Sequence, residues 1–221
     1  KKSRFAVWRC GAVVVVVDSV VARVWWMNRA ATDPGTAPAG SGINQETGAI
    51  AVGSGSQTLD TYIDFMCPIC NQFEDTYGSE ILDLANKGTI TLNIHPIAIL
   101  DRYSQGTKYS TRSANAMYCV AEADPERAVA FMQALYKNQP TENSTGLTDQ
   151  QIIDIAASVG VTGIDSCVTD GTYTKFVTSM TQKTPIQPGS SGIGTPTLAI
   201  NGTVISNQTI PAKGQFATLF Q

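Results

Sequence analysis

The stretch Thr58-Leu59-Asp60-Thr61-Tyr62-Ile63-Asp64-Phe65-Met66-Cys67-Pro68-Ile69-Cys70-Asn71-Gln72-Phe73 decides the fold. Its first half, Thr58 to Phe65, reads as a strand in which Leu59, Tyr62 and Phe65 stand among polar neighbours. A helix follows directly, because Phe73, Tyr77, Ile81 and Leu84 recur at helical spacing and Lys87-Gly88 supplies a cationic last turn and a terminating glycine. The two cysteines therefore stand where a strand hands over to a helix. Cys67 takes the cap position, facing backbone N–H groups that have no partner inside the helix, and Pro68 suits the first turn, where an N–H is not needed. A sulfur placed there is stabilised as the thiolate, and in such motifs its pKa falls from about 8.5 to roughly 3.5–7. Cys67 is the expected nucleophile, and Cys70, one turn later and facing inward, the expected resolving thiol. Taken alone, a Cys-x-x-Cys could equally be half of a metal site or a small structural disulfide.

Working outward, Ala49 to Val52 reads as a short strand before this unit and Thr89 to Ile99 as a strand after it, with Ile90, Leu92 and Ile94 on one face. The pattern then turns helical at about Thr111–Ala123, Glu126–Asn138, Asp149–Val159 and Thr172–Lys183. Thr148-Asp149-Gln150-Gln151, ahead of Ile152, Ile153 and Ile155, has the makings of a capped helix start. Strands resume at Thr197–Ile200 and Thr203–Ser206 around Asn201-Gly202, a strong hairpin signal, and Phe216–Phe220 closes with a short helix. The order strand, strand, helix, strand, helical block, hairpin, helix describes an α/β domain without a long internal repeat.

This arrangement resembles the thioredoxin superfamily, and more narrowly its DsbA-type oxidoreductases, through Asp64-Phe65-Met66-Cys67-Pro68-Ile69-Cys70 and Gly194-Thr195-Pro196-Thr197. His95-Pro96-Ile97-Ala98-Ile99-Leu100-Asp101, Tyr109-Ser110-Thr111-Arg112-Ser113-Ala114-Asn115-Ala116 and Gln139-Pro140 look like actinobacterial members. The resemblance implies a thioredoxin fold with an inserted helical block over about 105–184. It also implies a cis Thr195–Pro196 bond beside the cysteines, turning the Thr195 peptide groups toward an extended substrate strand next to Cys67, Pro68 and Ile69. The alternative is an ordinary trans proline opening an edge strand. Two positions depart from the family. Thr61 stands six residues before the nucleophile, where a buried acid is frequent, with Asp60 and Asp64 at other spacings; and Ile69 replaces the histidine often found between the cysteines.

Cys119 and Cys167 are the remaining cysteines of the folded part, and they read as a structural disulfide across the helical block, two buried free thiols being the alternative. Such a bond points to an oxidising compartment. A single histidine, His95, and the wide spacing of Cys119 and Cys167 leave too few ligands for a Cys/His metal site, so no metal is expected, and the resemblance implies no dissociable cofactor. His95 ends a strand and precedes Pro96, which favours a structural role over proton transfer. Tyr103, Tyr109 and Arg112 are candidates for the face near the redox centre. With a net charge of −3, and with no basic stripe after the first 30 residues, the chain carries no footprint for nucleic acid.

Lys1-Lys2-Ser3-Arg4 precedes an apolar stretch from Phe5 to Met27 that includes Val13–Val17 and Trp25-Trp26, so residues 1–28 read as a candidate signal anchor. Asp18, Arg9 and Arg23 oppose this, at about 2.5–3.5 kcal/mol each if held at the bilayer centre. A segment packing on its own protein, or a signal peptide cleaved near Ala37-Pro38-Ala39, are the alternatives. Cys10 reads as an incidental thiol. Residues 29–44, rich in Ala, Pro, Gly and Thr, read as a flexible tether, and 45–221 as the domain.

The expected activity is thiol–disulfide exchange that introduces disulfides into reduced exported proteins in the cell envelope. By resemblance a membrane quinone-linked protein of the DsbB or vitamin-K-epoxide-reductase type reoxidises the Cys67–Cys70 pair, and an N-terminal anchor keeps the two close. A disulfide reductase or isomerase, and a non-catalytic binding module, use the same parts.

Overall fold

In the computed structural model, which describes residues 33–221 together with Val21 and Arg23–Trp25, the chain's central strand is β2 (Gln57–Ile63). It pairs in parallel with β3 (Ile90–Pro96) and antiparallel with β4 (Thr197–Ile200). The edges are β1 (Ile50–Val52), antiparallel to β3, and β5 (Thr203–Ile205), antiparallel to β4, giving the order β1-β3-β2-β4-β5. Helix α1 (Pro68–Asn86) crosses between the parallel strands, as a parallel pair requires, and buries Cys70, Phe73, Ile81 and Ala85. Each of its large apolar side chains taken out of water stabilises the domain by about 1.5–3 kcal/mol. The β4–β5 connection turns at Asn201 and Gly202, both left-handed, at φ 50° and 79°.

The inward face of β2 is Leu59, Thr61 and Ile63, not the set containing Tyr62 that the sequence suggested. A threonine on the buried face hid the two-residue period. Tyr62 instead stacks on His95 of β3 at 4.2 Å, and Phe65 is buried in the turn beyond the strand. Strand β3 ends at Pro96 rather than Ile99, because the N–H groups of Ile99 and Leu100 leave the ladder and donate to Asp64.

The inserted block comprises α2 (Tyr109–Ala123), α3 (Ala128–Lys137), α4 (Asp149–Ser158), α5 (Asp165–Thr169) and α6 (Thr174–Gln182). Its axis is α2, buried on nearly all sides as the other helices pack around it. The cap before α4 is a full capping box: Gln151 N donates to Thr148 Oγ1 at 3.2 Å and Thr148 N to Gln151 Oε1 at 2.9 Å. Helix α5 falls between the patterns at Asp149–Val159 and Thr172–Lys183, five residues being too few for a period, although Cys167 itself reads as helical; it presents Cys167 to α2. The Cys119–Cys167 disulfide is formed, with Cα atoms 6.0 Å apart. Beside it the buried Asn115 side chain donates to the Cys167 carbonyl at 3.2 Å and accepts from Tyr173 N at 2.7 Å.

The expected tether at 29–44 is corrected in its second half. The compact unit begins at Gly35, not 45. Ala39 N donates to Glu122 Oε1 at 2.9 Å, Ala51 N donates to the Gly42 carbonyl at 2.8 Å, and Ile43 is buried and bridges to Ile50. Gly40 lies against the backbone of Ala121 and Glu122, where a Cβ would come within 2.9 Å of Glu122 Cα. A segment without periodicity can still be ordered when its small residues let its backbone lie on a helix. The candidate anchor at 1–28, with Asp18 and Cys10, lies outside the described residues except Val21 and Arg23–Trp25, which are helical and exposed. Among the described residues no helix is long and apolar enough to cross a membrane.

Candidate active site

Cys67 caps α1 in an extended conformation (φ −77°, ψ 116°), with Pro68 at the first helical position. Cys67 and Cys70 are both free thiols in this structure. The turn that delivers them is fixed from three sides. Asp64 Oδ1 accepts from Met66 N at 2.9 Å, and Oδ2 accepts from Ile99 N at 2.9 Å and Leu100 N at 3.0 Å. Gln139, just past α3, donates through Nε2 to the carbonyls of Phe65 (3.0 Å) and Cys67 (2.9 Å), and its own Oε1 accepts from Asn71 at 3.1 Å. On the third side Thr195 Oγ1 lies 2.9 Å from Cys70 Sγ and 3.2 Å from the Tyr62 carbonyl.

The Thr195–Pro196 peptide is cis, and its turn is held by Gln187 and Asn207, which both donate to the Pro196 carbonyl at 2.9 Å. Cys67 Sγ lies 3.5 Å from the Thr195 carbonyl oxygen, a long contact. Pro68 and Ile69 stand outside, Ile69 at 56 % exposure, while Cys67 beneath them is only 5 % exposed and Cys70 1 %.

The two sulfurs are driven apart electrostatically. A hydrogen bond from the Cys70 thiol pulls the Cys67 pKa below the ordinary thiol value; partial burial opposes this, and the first-turn N–H groups of Cys70 and Ile69 assist without full capping geometry. Burial pushes Cys70 well above its ordinary value, and the bond it makes to Cys67 adds to that. A proton shared between them therefore rests on Cys70, leaving Cys67 as the nucleophile and the better leaving group. Asp64, fully buried, is pushed up to about 6 by desolvation in spite of its backbone donors, and its charge weakly opposes ionisation of Cys67.

Thus Cys67, Pro68, Ile69, Cys70, Thr195 and Pro196 converge on one site, while Cys119 and Cys167 staple the helical block elsewhere. His95 is buried, with Nε2 2.9 Å from Asp60 Oδ1 and Nδ1 3.3 Å from the Thr47 carbonyl, a satisfied structural residue. Arg112 is taken up in holding loops, through Thr107 O, Leu147 O and Asp149. Tyr109 is buried, and its hydroxyl pKa is raised by burial and by the charge of Asp64. Among the described residues no group of three His, Cys, Asp or Glu is assembled to hold a metal. Sequence reasoning missed Gln139 as the clamp of the cysteine turn and Gln187 as a brace of the proline turn. Gln139 carried one signal, its place in a dipeptide already singled out.

Comparison with known proteins agrees with this geometry. A family model described as Thioredoxin matches residues 47–215. The serine/threonine-protein kinase PknE of Mycobacterium tuberculosis is 31 % identical over 162 residues, which are 70 % of this chain and 28 % of the kinase, so the chain spans little more than a quarter of that relative. Among solved structures, the reduced disulfide bond oxidoreductase DsbG of M. tuberculosis is 30 % identical, with a TM-score of 0.62 over 71 % of this chain and 79 % of that one. Reduced DsbA from M. tuberculosis is 28 % identical, with a TM-score of 0.63 over 72 % and 84 %. With the family model covering most of its length and the cysteine pair standing at the strand-to-helix junction, the chain belongs to the thioredoxin superfamily, on its DsbA-like branch.

Proposed function

We propose that the chain is a thiol–disulfide oxidoreductase of the cell envelope that oxidises cysteine pairs in exported proteins. The observation that carries this reading is the opposed pair of sulfurs, a low-pKa Cys67 at the helix cap and a high-pKa, buried Cys70 behind it. In the oxidised enzyme a substrate thiolate attacks Cys67, the Cys67–Cys70 bond breaks, and its electron pair leaves on Cys70. A second substrate thiolate then attacks the substrate sulfur of the mixed disulfide and expels Cys67 as the thiolate. The substrate has lost two electrons and the enzyme has gained them. Because a low-pKa thiolate is the better leaving group, Cys67 favours release of the oxidised substrate.

Reoxidation requires an electron acceptor, for which a membrane quinone-linked partner of the DsbB or vitamin-K-epoxide-reductase type is the candidate. Localisation outside the cytoplasm is supported by the Cys119–Cys167 disulfide, a bond that reducing compartments do not keep. Anchoring through residues 1–28 would hold the enzyme near its reoxidant. The test is refolding of a reduced, disulfide-requiring protein with the oxidised chain and with Cys67→Ser. The wild type should accelerate disulfide formation and the variant should not; equal rates would defeat the mechanism. A measured Cys67–Cys70 potential near about −120 mV fixes the direction as oxidation, whereas one near about −270 mV fixes it as reduction.

The likeness to a segment of a protein kinase favours one other reading, a module whose cysteine pair reports redox state without turnover. Cys67 that cycles once with a small thiol yet leaves the refolding rate unchanged would establish it.

A further inference from the structure

A turn that has left a strand and not yet entered a helix carries carbonyls that neither the ladder nor the helix fully serves. In the redox turn these belong to Asp64, Phe65 and Cys67, all buried residues. The Cys67 carbonyl takes the first bond of α1 from Asn71 N, at a long 3.3 Å. The other side-chain donors come from the end of α3, in the inserted block. Gln139 Nε2 serves Phe65 at 3.0 Å and Cys67 at 2.9 Å, and the Tyr136 hydroxyl reaches the Asp64 carbonyl at 3.5 Å.

The Gln139 amide can point only one way. Asn71 Nδ2, which donates to the Tyr136 carbonyl and to Gln139 Oε1, each at 3.1 Å, has no lone pair to offer, and the two turn carbonyls have no proton. Oxygen must face Asn71 and nitrogen must face the turn. Asn71 therefore serves twice: its backbone N–H closes the first turn of α1 on Cys67, and its side chain aims the amide that braces the same carbonyl.

Two donors on one carbonyl fix the plane of the Cys67–Pro68 peptide, and with it the direction in which α1 leaves the cysteine. The sulfur depends on that direction. The N–H groups of Ile69 and Cys70 that help to hold the Cys67 thiolate belong to this first turn, and no side chain caps it. Such bonds weaken steeply as their angles open.

We propose that Gln139 is a positioning residue of the exchange reaction, through which the inserted helical block holds Cys67 in its reactive geometry. Gln139 acts on the sulfur through the backbone. Without its amide the first turn loosens, the N–H groups swing away from the sulfur, and Cys67 becomes both a weaker thiolate and a poorer leaving group. The role rests on the thiol–disulfide exchange proposed above.

The experiment compares the full chain as wild type, Gln139→Leu, Gln139→Glu, Asn71→Ala and the Asn71→Ala/Gln139→Leu pair. Three readings are taken: thiolate absorbance at 240 nm against pH, with Cys67→Ser subtracted; single-turnover oxidation of a fluorescent dithiol peptide; and the thermal midpoint. Gln139→Leu should move the Cys67 titration upward and slow oxidation by roughly 10-fold. Gln139→Glu, of the same size, sets a carboxylate oxygen against two carbonyls and should lose more. Asn71→Ala should shift both readings the same way by less, and the pair should lose no more than Gln139→Leu alone, because one residue works through the other. Replacing Cys119 and Cys167 by alanine, which loosens the same block away from the site, should lower the midpoint and leave the other two readings in place; equal shifts there would reduce the effect to general softening and overturn the proposal. A Gln139→Leu chain that melts lower yet titrates and oxidises within twofold of wild type overturns the positioning role and leaves the exchange reading standing. If Gln139→Leu does not fold, Asn71→Ala decides alone, and an unchanged titration and rate overturn the role. Wild-type chain showing no Cys67-dependent oxidation overturns both.

Discussion

Removing the charge of Asp64 should take one component out of the pH dependence of stability. The carboxyl is fully buried, and its pKa stands at about 6 against 3.8 when unperturbed. A rise of this size corresponds to about 3 kcal/mol between its two protonation states. The sign follows from the direction. A carboxyl raised by folding adds stability that is complete below 3.8 and lost as pH climbs through about 6, because above that the fold must hold a desolvated anion. Its hydrogen bonds to Met66, Ile99 and Leu100 temper the cost without cancelling it.

Asp64→Asn removes the titration but sets an amide N–H2 against backbone donors, an unsatisfied contact costing about 1–3 kcal/mol at every pH. Urea unfolding of both reduced proteins at about pH 4.5 and 7.5 separates the terms, and taking the difference between the proteins cancels the other titrating groups to first order. At the lower pH the wild type should be the more stable by about 1–3 kcal/mol, and at the higher pH the gap should close or reverse. A gap that stays constant across this interval would show that Asp64 is ionised throughout, and the assignment of desolvation as its dominant influence would fail.

Two further outcomes follow from the same geometry. Cys70→Ala should raise the Cys67 pKa, since the Cys70 hydrogen bond is the largest influence lowering it; thiolate absorbance at 240 nm against pH reads the shift, and a fall would reverse the account of the pair. Replacing both Cys119 and Cys167 by alanine should lower stability by about 4 kcal/mol through release of the 48-residue loop, while the Cys67 titration stays in place. Denaturant midpoints of the pair read the first part, and a loss below about 1 kcal/mol would mean that the helical block is already held by its packing.

The fold was legible because its signals are local. Proline after a helix-capping cysteine, Phe73 and Ile81 at helical spacing, Thr148 with Gln151, and Asn201-Gly202 each fix one element without reference to a distant residue. The failures fall where a tertiary contact overrides local pattern. Nothing in the composition of Gly35 to Ile43 says that Gly35 lies against α6 and Gly40 against α2, because the order comes from backbone groups meeting Glu122 and from glycine's lack of a side chain. Helix α5 is stabilised by what surrounds it, and only Cys167 marked its place.

The three acids near the cysteines show the limit most clearly. Spacing along β2 excludes Asp60 from the chamber of Cys70, because Leu59, Thr61 and Ile63 share the inward face and Asp60 must point to the other, where His95 receives it. Asp64 lies past the strand, where no period governs it, and only the structure shows it tying the turn to the segment after β3. Glu74 obeys the helical period from Cys70, so its face could have been read; its reach could not, since the space it occupies is made by Gly78 four residues on and by Gln133 on another helix. Counting back six residues from Cys67 finds a threonine, but counting forward one helical turn from Cys70 finds an acid at the wall of the same cavity. Which acid stands near a buried thiol depends on the side chains that share its cavity, and a strand and a helix line this one from opposite sides.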